Sequence, residues 1–192
     1  MTVAYQIKEA DTQLSRTIIE RRPLGPRDVR IDLKFCGICH SDLVAASDKL
    51  GGGIFPMVPG HEMVGTISEI GAEVEGFAVG DAVGVGCIAD SCRSCHSCNK
   101  GDEHYCEKGF TLSFNSRDGE GRVNYGGYSS DYVVDYDYLV PIPRGADLAR
   151  MAPLLCGGIT VYTPLKRFNV GPGTTLCVLG MGGLGHLSLI HI

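Results

Sequence analysis

The clearest pattern in the chain is the alternation in VRIDLKF (29–35), which sets Val29, Ile31, Leu33 and Phe35 on one face and Arg30, Asp32 and Lys34 on the other. A period of two predicts a half-buried strand. MVGTISEI (63–70), DAVGVG (81–86) and SDYVVD (130–135) read as further short strands, each bounded by glycine-containing turns. Residues 1–145 are therefore expected to be mostly β, with irregular loops over 86–128. Pro141 and Pro143 mark a boundary. After them ADLARMAPLLCGGITVYTPLKRF turns helical in composition, with Pro153 and Pro164 expected to divide it. TTLCVLG (174–180) is a continuous apolar run of the kind buried on both faces of a parallel sheet. The expected fold class is mixed α and β, with no internal repeat and no low-complexity segment.

Composition narrows the function. The 192 residues carry 17 Lys+Arg against 22 Asp+Glu, a net charge of −5, with 44% apolar and 20% charged residues. That is the profile of a folded, soluble protein. An acidic balance argues against a nucleic-acid partner, since counterion release needs clustered Lys and Arg. No apolar run approaches the ~18–20 residues of a membrane span. The start, MTVAYQIKEADTQL, has no basic patch followed by an apolar stretch, so a cytoplasmic protein is expected.

Nine cysteines then stand out: Cys36, Cys39, Cys87, Cys92, Cys95, Cys98, Cys106, Cys156 and Cys177. In a reducing compartment closely spaced cysteines point to metal before disulfides. Cys92, Cys95, Cys98 and Cys106 lie within fifteen residues and can close a four-thiolate shell, the mark of structural zinc. Free surface thiols are the plain alternative. An iron–sulfur cluster fits less well, because the last gap is seven residues and Glu107, not Pro, follows Cys106.

A second cluster runs through FCGICHSD and VPGHE: Cys36, Cys39, His40, Ser41 and Asp42, then His61 and Glu62. Cys39, His61 and Cys156 would make a catalytic zinc set if folding joined them. The His61–Glu62 pair also reads as ordinary surface, and Cys36–Cys39 also reads as a redox dithiol. The third signal is Gly180-x-Gly182-x-x-Gly185, directly after the apolar run. A strand, a tight turn and a helix start there would offer backbone N–H groups to a pyrophosphate, though a ligand-free glycine turn has the same pattern.

Taken in order, CGICHSDL, VPGHEMVG, GDAVGVGCIADSCRSCHSCNKGDEHYC, GGYS, APLLCGGITVYTPL and LGMGGLGH resemble the zinc-dependent medium-chain alcohol dehydrogenases, in particular the cinnamyl-alcohol-dehydrogenase-like branch, from near residue 24 to residue 186. The resemblance implies a β-rich GroES-like catalytic domain over 1–145. Residues 146–192 would hold linker helices and the truncated start of a Rossmann domain. It implies that Cys39, His61 and Cys156 bind catalytic zinc, with Glu62 able to enter the shell, and that Cys92, Cys95, Cys98 and Cys106 bind structural zinc, two ions per full-length chain. Asp42 would orient the ligand histidine. Ser41 would take the substrate's proton, and His40 would lie near the cofactor's phosphates. Thr160 would pack against the nicotinamide, with Gly180, Gly182, Gly183, Leu184 and Gly185 at the pyrophosphate. Cys36, Cys87 and Cys177 match no ligand role and read as small buried apolar residues. Relatives often carry a histidine where this chain has Val44, so the proton would leave by water or His40.

The implied reaction is hydride transfer between a small primary alcohol or aldehyde and NADP or NAD, NADP being expected, in a homodimer or other homo-oligomer. A standalone zinc-binding interaction module is the rival, and a zinc-free quinone reductase on the same fold would lack these ligands. The selector of NAD or NADP, ~20 residues past the glycine motif, falls beyond residue 192. Cys156 belongs to a segment expected to be unsupported in this chain, which would weaken the catalytic zinc and leave the chain inactive alone. LSLIHI (187–192) alternates rather than forming a clear amphipathic stripe, and it resembles the translation of a common transposase adapter. The expectation is that the native sequence ends near His186.

Overall fold

In the computed structural model, which describes residues 1–190, the anticipated strands form and pair into one main sheet. The strands are β1 (Thr2–Gln6), β2 (Ser15–Ile19), β3 (Asp28–Cys36), β4 (Met63–Ile70), β5 (Ala82–Val85), β6 (Ile88–Asp90), β7 (Thr111–Leu112), β8 (Ser116–Arg117), β9 (Val123–Asn124), β10 (Asp131–Asp135) and β11 (Val140–Pro141). The helices are α1 (His40–Ala46), α2 (Leu148–Met151), α3 (Gly157–Arg167) and α4 (Gly183–Ile190), with short 3-10 turns between. His191 and Ile192 lie outside the described residues.

The main sheet is antiparallel, in the order β10–β3–β4–β5–β11. Pro141 sits on its edge strand, where a missing N–H costs no internal ladder bond. Val29, Ile31, Met63, Ile67, Val83, Val85, Tyr132 and Val134 form the core on one face. The alternation of β3 holds through Leu33, which packs against the core, and then breaks: Phe35 is 48% exposed. The register with β4 shifts between Leu33 and Phe35, and an irregularity of that kind reverses which side chains face the core. The same irregularity delivers Cys36 and the following loop to the end of the sheet.

Two expectations for the second half need correcting. TTLCVLG (174–180) forms no strand, and Leu179 is 94% exposed. A buried parallel strand needs neighbours on both edges, and none of the described strands pairs with it. Pro164 does not divide the helical region but lies inside α3. It forgoes one bond, to the carbonyl of Thr160, on an exposed stretch. Pro153 does mark a change, from α2 to a 3-10 turn over Ala152–Leu155. Leu187 to Ile190 continue α4.

The segment bearing Cys156 is also better supported than expected. Ala152 is buried, Leu155 packs over β5 at Gly84, and its carbonyl lies against Gly86. This anchors Cys156 at the open end of the main sheet.

Candidate functional site

The loop after β6 folds around its own cysteines. Cys95, Cys98 and Cys106 are buried, with Cys92 packed against them. Their sulfurs lie within 4.8 Å of one another, and Cys92 Sγ and Cys98 Sγ are 3.8 Å apart. Tetrahedral zinc with Zn–S near 2.3 Å spaces its sulfurs by about 3.8 Å, so this donor set fits the ion. Backbone donors complete it: Cys92 N–H points to Cys106 Sγ at 3.5 Å, Cys98 N–H to Cys95 Sγ at 3.5 Å and Glu107 N–H to Cys95 Sγ at 3.4 Å. The Ser94 backbone, the strongest influence on Cys92, holds that thiol down to about 6. The N–H groups of Cys98 and Glu107 lower Cys95 as well. Cys92 is poised to be a thiolate.

The second cluster is assembled by folding. Cys39 is the N-cap of α1, reached from the end of β3. His61 and Glu62 directly precede β4, and Cys156 leads into α3. One donor atom from each of the four lies within 4.8 Å of every other, and the Cys39 and Cys156 sulfurs are 3.9 Å apart. Asp42, also in the first turn of α1, accepts a 2.9 Å hydrogen bond from His61 Nδ1. That leaves Nε2 for the thiol side. Glu62 is buried, and burial pushes its carboxyl up. The plain-surface reading of His61 and Glu62 fails, since they are 3% and 4% exposed.

The redox reading of Cys36 and Cys39 also fails on placement. Cys36 Sγ bonds the Gly37 carbonyl at 3.6 Å, while Cys39 Sγ faces Ser41 and Cys156. Burial pushes the Cys36 thiol up to about 12, so it is an inert thiol.

The other predicted residues surround this cluster unequally. Ser41 Oγ is 3.6 Å from Cys39 Sγ, at the rim, and His40 is exposed beside it. Thr160 lies one turn into α3, its N–H bonded to the Cys156 carbonyl. The glycine turn is formed: Gly180 has φ +89°, and a Cβ on Gly185 would lie 2.0 Å from the Gly180 carbonyl oxygen. Gly182, Gly183 and Leu184 are exposed at the start of α4, whose Leu184 and Leu187 reach Gly157 at the start of α3. Cys177 is exposed, not buried as expected.

Three neighbours of the site carry no sequence signal of their own. Phe114 stacks on His61, with ring centroids 5.6 Å apart at 16°. Tyr128 donates to Asp42 Oδ2 at 3.0 Å. Cys87, read as a small core residue, instead hydrogen-bonds Cys156.

These contacts fix the protonation of the second cluster. The Cys87 hydrogen bond, then burial, pushes Cys156 up to about 12 against the pull of His61. Burial alone would lower His61, but its hydrogen bonds to Asp42 and Cys156 outweigh this and raise it to about 11. Both groups therefore hold protons at neutral pH and would have to release them to a metal. At least two protons displaced means that apparent zinc affinity should fall at least about 100-fold per unit of decreasing pH between 8 and 6. Chelator competition at three pH values checks this, and a flat profile would contradict it.

The sequence description "Alcohol dehydrogenase GroES-like domain" matches residues 25–144. The chain is 50% identical over 188 residues to the "Probable formaldehyde dehydrogenase AdhA" of Bacillus subtilis, covering 98% of this chain and 54% of that protein. It is 46% identical over 186 residues to the "NADP-dependent alcohol dehydrogenase C" of Mycobacterium bovis, covering 97% and 54%. Among solved structures, CAD from Helicobacter pylori complexed with NADP(H) superposes with a TM-score of 0.96 at 40% identity, over 99% of this chain and 55% of that one. The chain spans about half the length of the curated relatives it matches. With that domain description over most of its length and that superposition along nearly all of it, the chain belongs to the alcohol dehydrogenase family and carries its β-rich GroES-like domain.

Proposed function

We propose that this chain supplies the substrate-side half of a zinc-dependent dehydrogenase that moves hydride between a primary alcohol or aldehyde and NADP. The observation that carries the reading is the joining of Cys39, His61, Glu62 and Cys156 at one end of the sheet, with Asp42 behind His61. A zinc-binding interaction module needs the Cys92–Cys106 loop but has no use for this second, partly open set. Zinc bound there would act as a Lewis acid on the substrate oxygen.

The chain's own groups then divide the work. Asp42 fixes the His61 tautomer and ring, so that Nε2 stays aimed at the cluster. Ser41, at the cluster's rim, receives the hydroxyl proton of an alcohol. Val44 offers no further acceptor, so that proton passes to water or to exposed His40. Thr160 and the Gly180–Gly185 turn hold the nicotinamide and pyrophosphate ends of the cofactor. In this reading 1–145 and 146–192 are separate units. Turnover needs the sequence that the longer relatives carry past this region, because 174–180 pairs with none of the described strands. NADP is favoured over NAD by the NADP dependence named for the M. bovis relative and by the NADP(H) bound in the Helicobacter structure.

The test uses protein that joins this region to the remaining half. Zinc-dependent formation of NADPH from a panel of primary alcohols is expected. No turnover with any alcohol or aldehyde, at two bound zincs per chain, would overturn the reading.

A further inference from the structure

Asp42 is buried and its carboxylate is saturated. Oδ1 accepts from His61 Nδ1 at 2.9 Å and from Gly60 N–H at 3.0 Å, while Oδ2 accepts from Cys39 N–H at 3.0 Å and from Tyr128 Oη–H at 3.0 Å. Three of these donors come with the local chain around the cluster. Tyr128 does not. It arrives from the segment before β10, 86 residues away in sequence.

That segment is held tightly. Gly126, Gly127 and Tyr128 donate backbone N–H groups to the carbonyls of Val58, Gly60 and Pro59, the residues just before His61. The approach is close enough that a Cβ on Gly60, at φ +104°, would lie 2.7 Å from the Tyr128 nitrogen. From the other side, Arg21 bonds the carbonyls of Tyr125, Gly126 and Asp131 and the hydroxyl of Ser129. The phenol therefore has a fixed position, and burial with the Asp42 charge keeps its proton on.

We propose that Tyr128 is a positioning residue for the second metal centre, locking the Asp42 carboxylate in the rotamer that aims His61 at Cys39 and Cys156. The inference rests on the metal reading of that cluster. Without the phenol, Oδ2 keeps only the Cys39 N–H, and the carboxylate can turn away from the imidazole. The hydroxyl, not the ring, carries this role.

The test is Tyr128→Phe in the full 192-residue chain, with zinc affinity of both centres read by chelator competition. The four-cysteine loop is the internal control. Outer partners of metal-bound histidines are typically worth about 10–100-fold in affinity. We expect a loss in that range at the Cys39–His61–Cys156 centre and a melting temperature a few degrees lower from the donor lost to buried Asp42, with the four-cysteine centre unchanged. Tyr128→Leu should lower the melting temperature further, because it also removes the ring. Wild-type affinity in Tyr128→Phe, with two zincs bound, would overturn this role alone. Equal weakening of both centres would also overturn it, by showing a general loss of fold. A wild-type chain that binds zinc only in the four-cysteine loop would overturn the metal reading and this inference together.

Discussion

Cys98→Ser should cost the protein one zinc ion per chain and lower its melting temperature by on the order of 10 °C. The loop that carries Cys98 has almost no other means of staying folded. Its regular structure is two single 3-10 turns, at Cys98–Lys100 and Glu103–Tyr105. Its buried side chains are the cysteines themselves. Structural zinc is worth about 10–16 kcal/mol in small zinc peptides, which matches or exceeds the ~5–15 kcal/mol by which a whole domain is stable. Serine leaves three thiolates, so only a fraction of that is lost, yet each 1 kcal/mol moves the transition by ~2–4 °C at this size. The damage should spread. Arg93 from this loop bonds Asp135 at the end of β10 at 2.7 Å, and Ser91 accepts from Tyr138 at 2.7 Å. Loosening the loop frees both from the main sheet. Calorimetry with metal analysis reads the result, and an unchanged transition with the zinc gone would remove the structural role.

How much of this was legible in the sequence depends on how locally each feature is built. Val29 and Ile31 alternate because β3 is a half-buried strand, so their positions were readable. Phe35 was not, because the shift in register with β4 turns it outward and depends on which residues β4 presents. The four-cysteine loop closes within a single loop, and its spacing announced it. Cys39 and Cys156 are 117 residues apart, and their 3.9 Å approach depends on Leu155 seating against β5. Residue types suggested that pair, but only packing could join it. The helix at His40–Ala46 was missed because seven residues give too short a stretch for helical periodicity to show. Its cap is Cys39 with Asp42 three positions on, rather than a usual Ser or Thr opening. Phe114, Tyr128 and Cys87 reach the site through strand and loop pairings that leave no trace in spacing. The apolar run at 174–180 was misread in the opposite sense: its composition asks for a sheet that the described residues do not supply.

His61→Ala should separate the two centres cleanly. It removes the one nitrogen ligand of the second cluster and touches nothing in the four-cysteine loop, so zinc content should fall from two ions per chain to one. In protein that also carries the cofactor-binding half, turnover should fall by at least about 10²–10³, the usual loss when a single stabiliser of developing charge on oxygen is deleted. The loss here should be larger, because the whole metal site goes with the ligand. A stability cost accompanies it. Phe114 loses its stacking partner, and Asp42, 2% exposed, keeps its charge with one donor fewer. An unsatisfied buried polar group costs about 1–3 kcal/mol, and a charged one more. The variant should therefore melt several degrees lower while still binding its remaining zinc tightly, the reverse of Cys98→Ser, which keeps the second cluster's ligands and loses the first. If His61→Ala retains two zincs or turnover near that of the parent, the imidazole is not a ligand. The cluster of Cys39, Glu62 and Cys156 would then need another explanation.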